Sequence, residues 1–148
     1  MIGLPDDIEL RPAAVGDADA IATFVREQMA RPQRAADLVP YLEDYPSCVA
    51  HRGGELVGFA YCGSFAPDIL ELRNLVVRRG ARRQGVGSAL LAMIEEVAWA
   101  HAAAIVLVNS DLYAGHDFNV DARRFYEANG YTLVFRTDAS RVFAKRRR

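Results

Sequence analysis

The stretch "RRGARRQGVGSALL", residues 78–91, decides the fold, because its arginines and glycines lead directly into an apolar run. From Val86 to Val97 the apolar residues recur at a spacing near 3.6, which predicts a long amphipathic helix beginning at about Gly85. The residues before the stretch, 69–77, are typical of a β-strand. A strand that passes through glycines into a helix N-terminus presents unpaired N–H groups and the positive end of the helix dipole. We therefore expect an anion to bind here, most naturally a phosphate.

The periodicity on either side of this stretch predicts the element order β-α-α-β-β-β-α-β-α-β-β. The predicted strands cover 8–11, 48–51, 56–61, 69–77, 103–108, 131–136 and 141–145, and the other helices begin at 18, 35 and 120. Asp17 is the predicted cap of the first helix, and the glycines of "RGGE" join the second and third strands. This order predicts an α/β fold, a single domain over residues 1–148 with helices on both faces of a mixed sheet.

Composition excludes several classes of protein. The 148 residues carry a formal net charge of −1 and are 51% hydrophobic, which is typical of a globular protein. The apolar runs are too short for a membrane span, and the N-terminus does not resemble a signal peptide, so we expect a cytoplasmic protein with no membrane partner. The near-neutral charge disfavours a nucleic-acid partner despite the C-terminal "KRRR". Cys48 and Cys62 match no zinc or redox spacing, so no metal site is predicted and both are expected to be buried.

Two common phosphate-binding motifs fail in this stretch. Gly80 and Gly85 have the outer spacing of G-x-x-x-x-G-K-[ST], but Val86 and Gly87 replace the lysine and the hydroxyl residue. The dinucleotide motif G-x-G-x-x-G fails because Leu90 occupies its last glycine position. The residues instead match R-x-x-G-x-G over 82–87.

That motif, directly after the strand sequence "NLVV", resembles the acyl-CoA pyrophosphate loop of the GNAT superfamily of N-acetyltransferases. Four other segments also resemble that family: "IELRPAAVGDADAIATFV", "VAHRGGELVGFAY", "NVDARRFYEANGY" and the C-terminal hairpin. The resemblance implies a GNAT-like twisted mixed sheet of about seven strands, whose central strands splay apart to receive the acyl-CoA. It also implies acetyl-CoA as co-substrate and direct attack of a primary amine on the thioester.

The resemblance implies that acetyl-CoA is bound by the end of the fourth strand, by the loop and by an asparagine before the last helix. These residues are Leu75, Val76, Val77, Arg82, Arg83, Gln84, Gly85, Val86, Gly87, Ser88 and Asn119. Independently of the family, glycines at 85 and 87 would allow the backbone to approach a pyrophosphate closely. Asn119 also stands where a helix N-cap belongs.

Two residues are the candidates for catalysis. Tyr126 matches the family tyrosine that protonates the departing thiolate, although it could also be a core aromatic beside Phe125. Glu71 matches a glutamate that serves as general base in some members. Regular alternation would place Glu71 on the same strand face as Leu75, about 13 Å away. Arg73 offers the alternative of a structural ion pair with Glu71.

The loop 109–118 is longer than the family pattern, and long loops often carry function. Asp111 and His116 are therefore candidates for binding a cationic amine, and His116 is the second candidate base. A small-molecule amine is the favoured acceptor. A protein N-terminus, a protein lysine and a non-catalytic acyl-CoA sensor remain as alternatives, and a homodimer is possible by analogy with the family.

Overall fold

A computed structural model describes residues 3–110 and 122–148 of the chain. It contains seven strands and four α-helices in the predicted order, with short 3-10 turns at Val15–Asp17 and Arg79–Ala81. The strands are β1 (Ile8–Pro12), β2 (Ser47–Arg52), β3 (Glu55–Ala66), β4 (Ile69–Val77), β5 (Ala104–Ser110), β6 (Thr132–Arg136) and β7 (Ser140–Arg146). The helices are α1 (Ala18–Gln28), α2 (Ala35–Asp44), α3 (Val86–Ala98) and α4 (Ala122–Ala128).

All seven strands belong to one sheet with the order β1-β2-β3-β4-β5-β7-β6. Among the described strands, only β4 and β5 run parallel, and their pairing covers just three residues of each strand, ending at Glu71 and Val106. Beyond this point β4 continues to Val77 and β5 to Ser110, and the two strands separate. We call this opening the fork. It confirms the predicted splay of the central strands.

Helices cover the sheet from both sides, as the order of elements predicted. The apolar side of α3 packs with residues of β2 to β5 and β7 into one core cluster, to which α4 adds Phe125 and Tyr126. On the opposite face α1 and α2 pack against β2 to β4 in a second cluster, where the rings of Phe24 and Phe59 make a T-shaped contact. Each fully buried aliphatic or aromatic side chain stabilises this arrangement by about 1.5–3 kcal/mol.

A β-bulge in β4 changes which side chains share a face. Leu72 pairs with Cys62 and Asn74 pairs with Tyr61, so Arg73 is an extra residue in β4. As a result Leu72 and Leu75 both lie on the α3 face, whereas Glu71 lies on the face that α1 and α2 partly cover. The expectation that Glu71 and Leu75 share a face is wrong, because regular alternation does not hold across the bulge.

Three local predictions also differ from the structure. β3 extends to Ala66 through a segment expected to be a loop, since it keeps pairing with the start of β4. β5 extends to Ser110 because β7 pairs with it to that point. Asp17 does not cap α1 with its side chain but makes a two-point ion pair with Arg11, with oxygen–nitrogen distances of 2.7 and 2.8 Å.

Candidate functional site

A cleft of about 610 Å³ lies where the end of β4, the N-terminus of α3 and α4 meet. Its lining residues are Leu75, Val76, Val77, Arg79, Ala81, Arg82, Arg83, Gly85, Val86, Gly87, Ser88, Ala122, Phe125 and Tyr126. Nine of the eleven predicted acetyl-CoA-binding residues and the predicted acid Tyr126 therefore line a single cleft.

The main chain of β4 forms the wall of the cleft at the fork. The amide of Arg78 donates a hydrogen bond of 2.7 Å to the carbonyl of Val57 on β3. Because main-chain groups alternate in direction along a strand, those of Leu75 and Val77 point away from β3, towards the fork. The Val77 carbonyl accepts a hydrogen bond of 3.1 Å from Nε of Arg82. The side chain of Val76 is buried in the α1–α2 cluster, so Val76 contributes its main chain to the cleft.

Gly85 and Gly87, at the start of α3, are each glycine for a different structural reason. Gly85, the N-cap of α3, has φ of 83° and ψ of 5°, a left-handed conformation that favours glycine. At Gly87 a Cβ atom would lie 3.1 Å from a ring carbon of Phe125, so glycine allows α4 to pack closely on α3. This geometry opens the first N–H groups of α3 towards the cleft, where they can bind an anion.

The arginines of the quoted stretch and its preceding strand divide between the two faces of the sheet. Arg79, Arg82 and Arg83 line the cleft and add positive charge beside the helix N-terminus. Arg78 instead donates to the Leu56 carbonyl at 3.0 Å, and its guanidinium lies 5.0 Å from the ring centre of Phe24. Three of these five arginines therefore line the cleft; the five are Arg73, Arg78, Arg79, Arg82 and Arg83.

Gln84, the tenth predicted residue, is not among the lining residues of the cleft. Its side-chain oxygen accepts a hydrogen bond of 2.6 Å from Arg52, whose Nε donates to Asp7 at 2.9 Å. This chain of contacts ties the loop to β2 while the neighbouring Arg83 holds a positive φ of 62°. The structure thus gives the Gln84 side chain an anchoring position in the loop. The eleventh predicted residue, Asn119, lies outside the described residues.

Tyr126 lies where α4 borders the cleft. Its ring packs against those of Phe125, Tyr131 and Phe143 at centre-to-centre distances of 5.1, 6.0 and 5.6 Å. Burial raises the pKa of Tyr126 to about 12. The hydroxyl therefore keeps its proton at neutral pH and can donate a hydrogen bond to a developing anion.

Glu71 lies at the closed end of the fork and is not among the cleft-lining residues. Its carboxylate forms an ion pair of 3.0 Å with Arg73, which is the alternative that the sequence had left open. Arg73 also stacks over Tyr41 of α2, at 4.9 Å from the ring centre. The cleft on the α3 face and the carboxylate on the opposite face are therefore next to the same opening in the sheet. Asp111 and His116 lie outside the described residues.

Sequence reasoning missed four lining residues: Arg79, Ala81, Ala122 and Phe125. Arg79 belonged to the quoted cluster, so its charge was an available signal. Phe125 was interpreted as a core residue, and its contact with Gly87 depends on how α4 packs on α3. Pattern alone cannot locate such a contact between distant segments.

Other kinds of site are not indicated in the described part of the chain. Within residues 3–110 and 122–148, no group of three His, Cys, Asp or Glu side chains is arranged to hold a metal ion. None of the helices described combines the length and the apolar character needed to cross a bilayer. Cys48 and Cys62 are fully buried free thiols, as predicted, and burial raises the pKa of each to about 12.

Comparison with known proteins gives one family. The sequence model described as "Acetyltransferase (GNAT) domain" matches residues 43–133. No curated protein sequence matches the chain.

Solved structures with the same fold include three acetyltransferases. PaiA N-acetyltransferase from Thermoplasma acidophilum, in complex with coenzyme A, has a TM-score of 0.76 and 16% identity, with 95% of this chain and 99% of that chain covered. Ribosomal-protein-S18-alanine N-acetyltransferase from Escherichia coli has a TM-score of 0.75 and 20% identity, with coverages of 94% and 93%. NAA60 from Arabidopsis thaliana, in complex with acetyl-CoA, has a TM-score of 0.75 and 15% identity, with coverages of 94% and 99%.

Proposed function

Because the chain belongs to the GNAT acetyltransferase family, we propose that it transfers the acetyl group of acetyl-CoA to the primary amine of a small molecule. The observation that carries the proposal is the cleft at the fork. It combines a helix N-terminus, three arginines and a protonated tyrosine around the free edge of β4. A phosphate-bearing thioester needs these groups in the same place.

The residues present fit the anionic and reactive parts of acetyl-CoA. The first N–H groups of α3 and the guanidinium groups of Arg79, Arg82 and Arg83 would hold phosphate oxygens. The main-chain amide of Leu75 points towards the fork, where it would stabilise negative charge on the thioester oxygen. The cleft is of ordinary size for a small-ligand site.

The reaction joins the amine nitrogen to the acetyl carbon and breaks the bond between that carbon and sulfur. One proton must leave the nitrogen and one must reach the sulfur, so the products are an acetamide and a thiol. We assign the second proton to Tyr126, which lines the cleft and whose hydroxyl is protonated at neutral pH.

We assign the proton of the incoming amine to Glu71, either directly or through water. Glu71 lies at the end of the β4–β5 pairing on the face opposite the cleft, so an amine that enters from that face meets its carboxylate first. The carboxylate of Glu71 lies 3.0 Å from Arg73, and its remaining acceptor positions can receive a hydrogen bond from an ammonium group. His116 is the competing candidate base. The variants Glu71→Gln and His116→Gln separate the two, because only loss of the true base removes most of the activity.

Titration calorimetry with acetyl-CoA tests the site first, using the wild type and the double variant Gly85→Asp, Gly87→Asp. We expect binding by the wild type and its loss in the variant, because both substitutions place carboxylates at the helix N-terminus. Circular dichroism must show that the variant is folded. If the folded wild type produces no heat and no thermal shift, the proposal fails.

Thiol release from acetyl-CoA in the presence of a panel of amines tests the transfer. The fold shared with ribosomal-protein-S18-alanine N-acetyltransferase supports a second candidate acceptor, a protein N-terminus. The panel therefore includes peptides with free N-termini and peptides with internal lysines. Binding of acetyl-CoA without turnover of any acceptor would instead favour a sensor.

A further inference from the structure

An exposed apolar row crosses three strands on the sheet face opposite the cleft. Val108 of β5 pairs with Val142 of β7, and Val142 pairs with Phe135 of β6. Val108 is 50% exposed, Phe135 is 62% exposed and Val142 is half-buried. Paired residues point to the same face of a sheet, so the three side chains are neighbours. We call them the apolar row.

The apolar row lies on the same face as Glu71. Leu107 and Phe143 are buried in the α3 core, so their neighbours Val108 and Val142 point to the opposite face. Glu71 pairs with Val106, two residues before Val108 in β5, and shares that face. The buried contacts of α1 and α2 are with β2 to β4, so these helices leave the β5–β7–β6 half of this face open.

The apolar row is continuous with the reactive opening. β4 and β5 separate immediately after Glu71 and Val106, so the fork connects this face with the cleft on the α3 side. Along the strand direction, Val108 lies about 7 Å from the level of Glu71. Across the sheet, each neighbouring strand is about 5 Å further from β4. A molecule on this face can therefore place one end at the carboxylate and the other on the apolar row.

We propose that the acceptor is a primary amine whose nitrogen is separated from an aromatic or branched aliphatic group by a short carbon chain, as in 2-phenylethylamine. This inference rests on the proposed function and names the class of its substrate. The ammonium group pairs with Glu71, and the apolar group lies over Val108 and Val142, with Phe135 at its far edge. A diamine is disfavoured, because its second ammonium group would lose water against the carbon surface of the apolar row.

The exposed apolar residues elsewhere provide matched controls. Phe65 is 61% exposed and lies near the β3–β4 turn, on the closed side of the fork. Val97 is 48% exposed on α3. Phe65→Ala and Val97→Thr therefore remove nearly the same exposed surface as Phe135→Ala and Val108→Thr without touching the apolar row.

The experiment compares kcat/KM for 2-phenylethylamine, ethanolamine and putrescine at saturating acetyl-CoA. In the wild type we expect 2-phenylethylamine to exceed the other two by at least tenfold, the usual effect of an apolar contact on selectivity. Phe135→Ala and Val108→Thr should each reduce that preference severalfold, through a lower kcat/KM for 2-phenylethylamine. The two control variants should retain the wild-type preference.

Four results would overturn the inference. Equal kcat/KM for the three amines in the wild type would refute the inference, and the proposed function would stand. The same holds if Phe65→Ala reduces the preference for 2-phenylethylamine as much as Phe135→Ala does. A dimer that Phe135→Ala dissociates, with no change in amine preference, would show that a second copy covers the apolar row. If acetyl-CoA binds and no amine is acetylated, both the inference and the proposed function fail.

Discussion

Replacing Tyr126 with phenylalanine tests the assignment of the acid most directly. The change removes one hydroxyl and keeps the ring contacts with Phe125, Tyr131 and Phe143. We expect the variant to fold normally and to bind acetyl-CoA with unchanged affinity, because the groups proposed to hold its phosphates lie on α3 and its loop. Only the rate of thiolate release should decrease.

The expected loss follows from the role of the hydroxyl. A positioned general acid contributes about 10²–10⁴-fold to the rate, which corresponds to about 2.7–5.4 kcal/mol of barrier. By contrast, Tyr126→Ala would also remove the ring from a packed aromatic group and cost about 3–5 kcal/mol of stability. Because burial raises the pKa of Tyr126 to about 12, the acid stays protonated through pH 10. The wild-type kcat should therefore show no decline due to this group between pH 7 and 10.

The assay is steady-state thiol release, with kcat and the KM for acetyl-CoA measured separately. Tyr131→Phe is the matched control, since the hydroxyl of Tyr131 donates to Glu95 at 2.8 Å and is not among the cleft-lining groups. This control should lose about 1–3 kcal/mol of stability and keep its kcat. A Tyr126→Phe variant that retains more than a tenth of the wild-type kcat would refute the acid role.

Four further predictions concern the loop and the stability of the fold. Gly85→Ala forces alanine into a left-handed conformation, so urea unfolding should show a loss of about 1–2 kcal/mol in the free energy of unfolding. Calorimetry should show a weaker affinity for acetyl-CoA. If neither value changes, the left-handed conformation at Gly85 is not required. Cys48 and Cys62 should react with a thiol reagent at pH 8 only in denaturant, and reaction of the native protein would contradict their burial. Burial raises both thiol pKa values from 9.0 to about 12, so between these pH values the thiols are protonated in the native state and ionised in the unfolded state. The free energy of unfolding should therefore fall as the pH rises from 9 to 12. The hydrogen bonds from Arg11 lower the pKa of Asp17 below 3.8, so Asp17→Asn should cost about 1 kcal/mol or less of stability at pH 7. The stability difference between wild type and variant should shrink as the pH falls below 4, because Asp17 then becomes protonated. A stability difference that does not depend on pH would exclude the ion pair as its source.

The sequence by itself determined the order of the seven strands and four helices, and it located the loop for which we propose anion binding. Periodicities of 2 and 3.6 residues are local properties, and they give the type of each element without knowledge of its partners. The glycines and arginines of 82–87 identified the loop for a similar reason, since its chemistry belongs to consecutive residues.

Only the tertiary structure decided which face each functional side chain occupies. The bulge at Arg73 arises from the pairing of β4 with β3, and it moves Glu71 to the face opposite Leu75. The apolar row likewise exists only through the pairing of β5, β7 and β6, which joins Val108 to Phe135 across the sheet. One extra residue in a strand reverses the faces of everything beyond it, and its position depends on contacts between segments distant in sequence. Local sequence patterns do not depend on such contacts. The side chains on each face of the fork could therefore be assigned only from the folded chain.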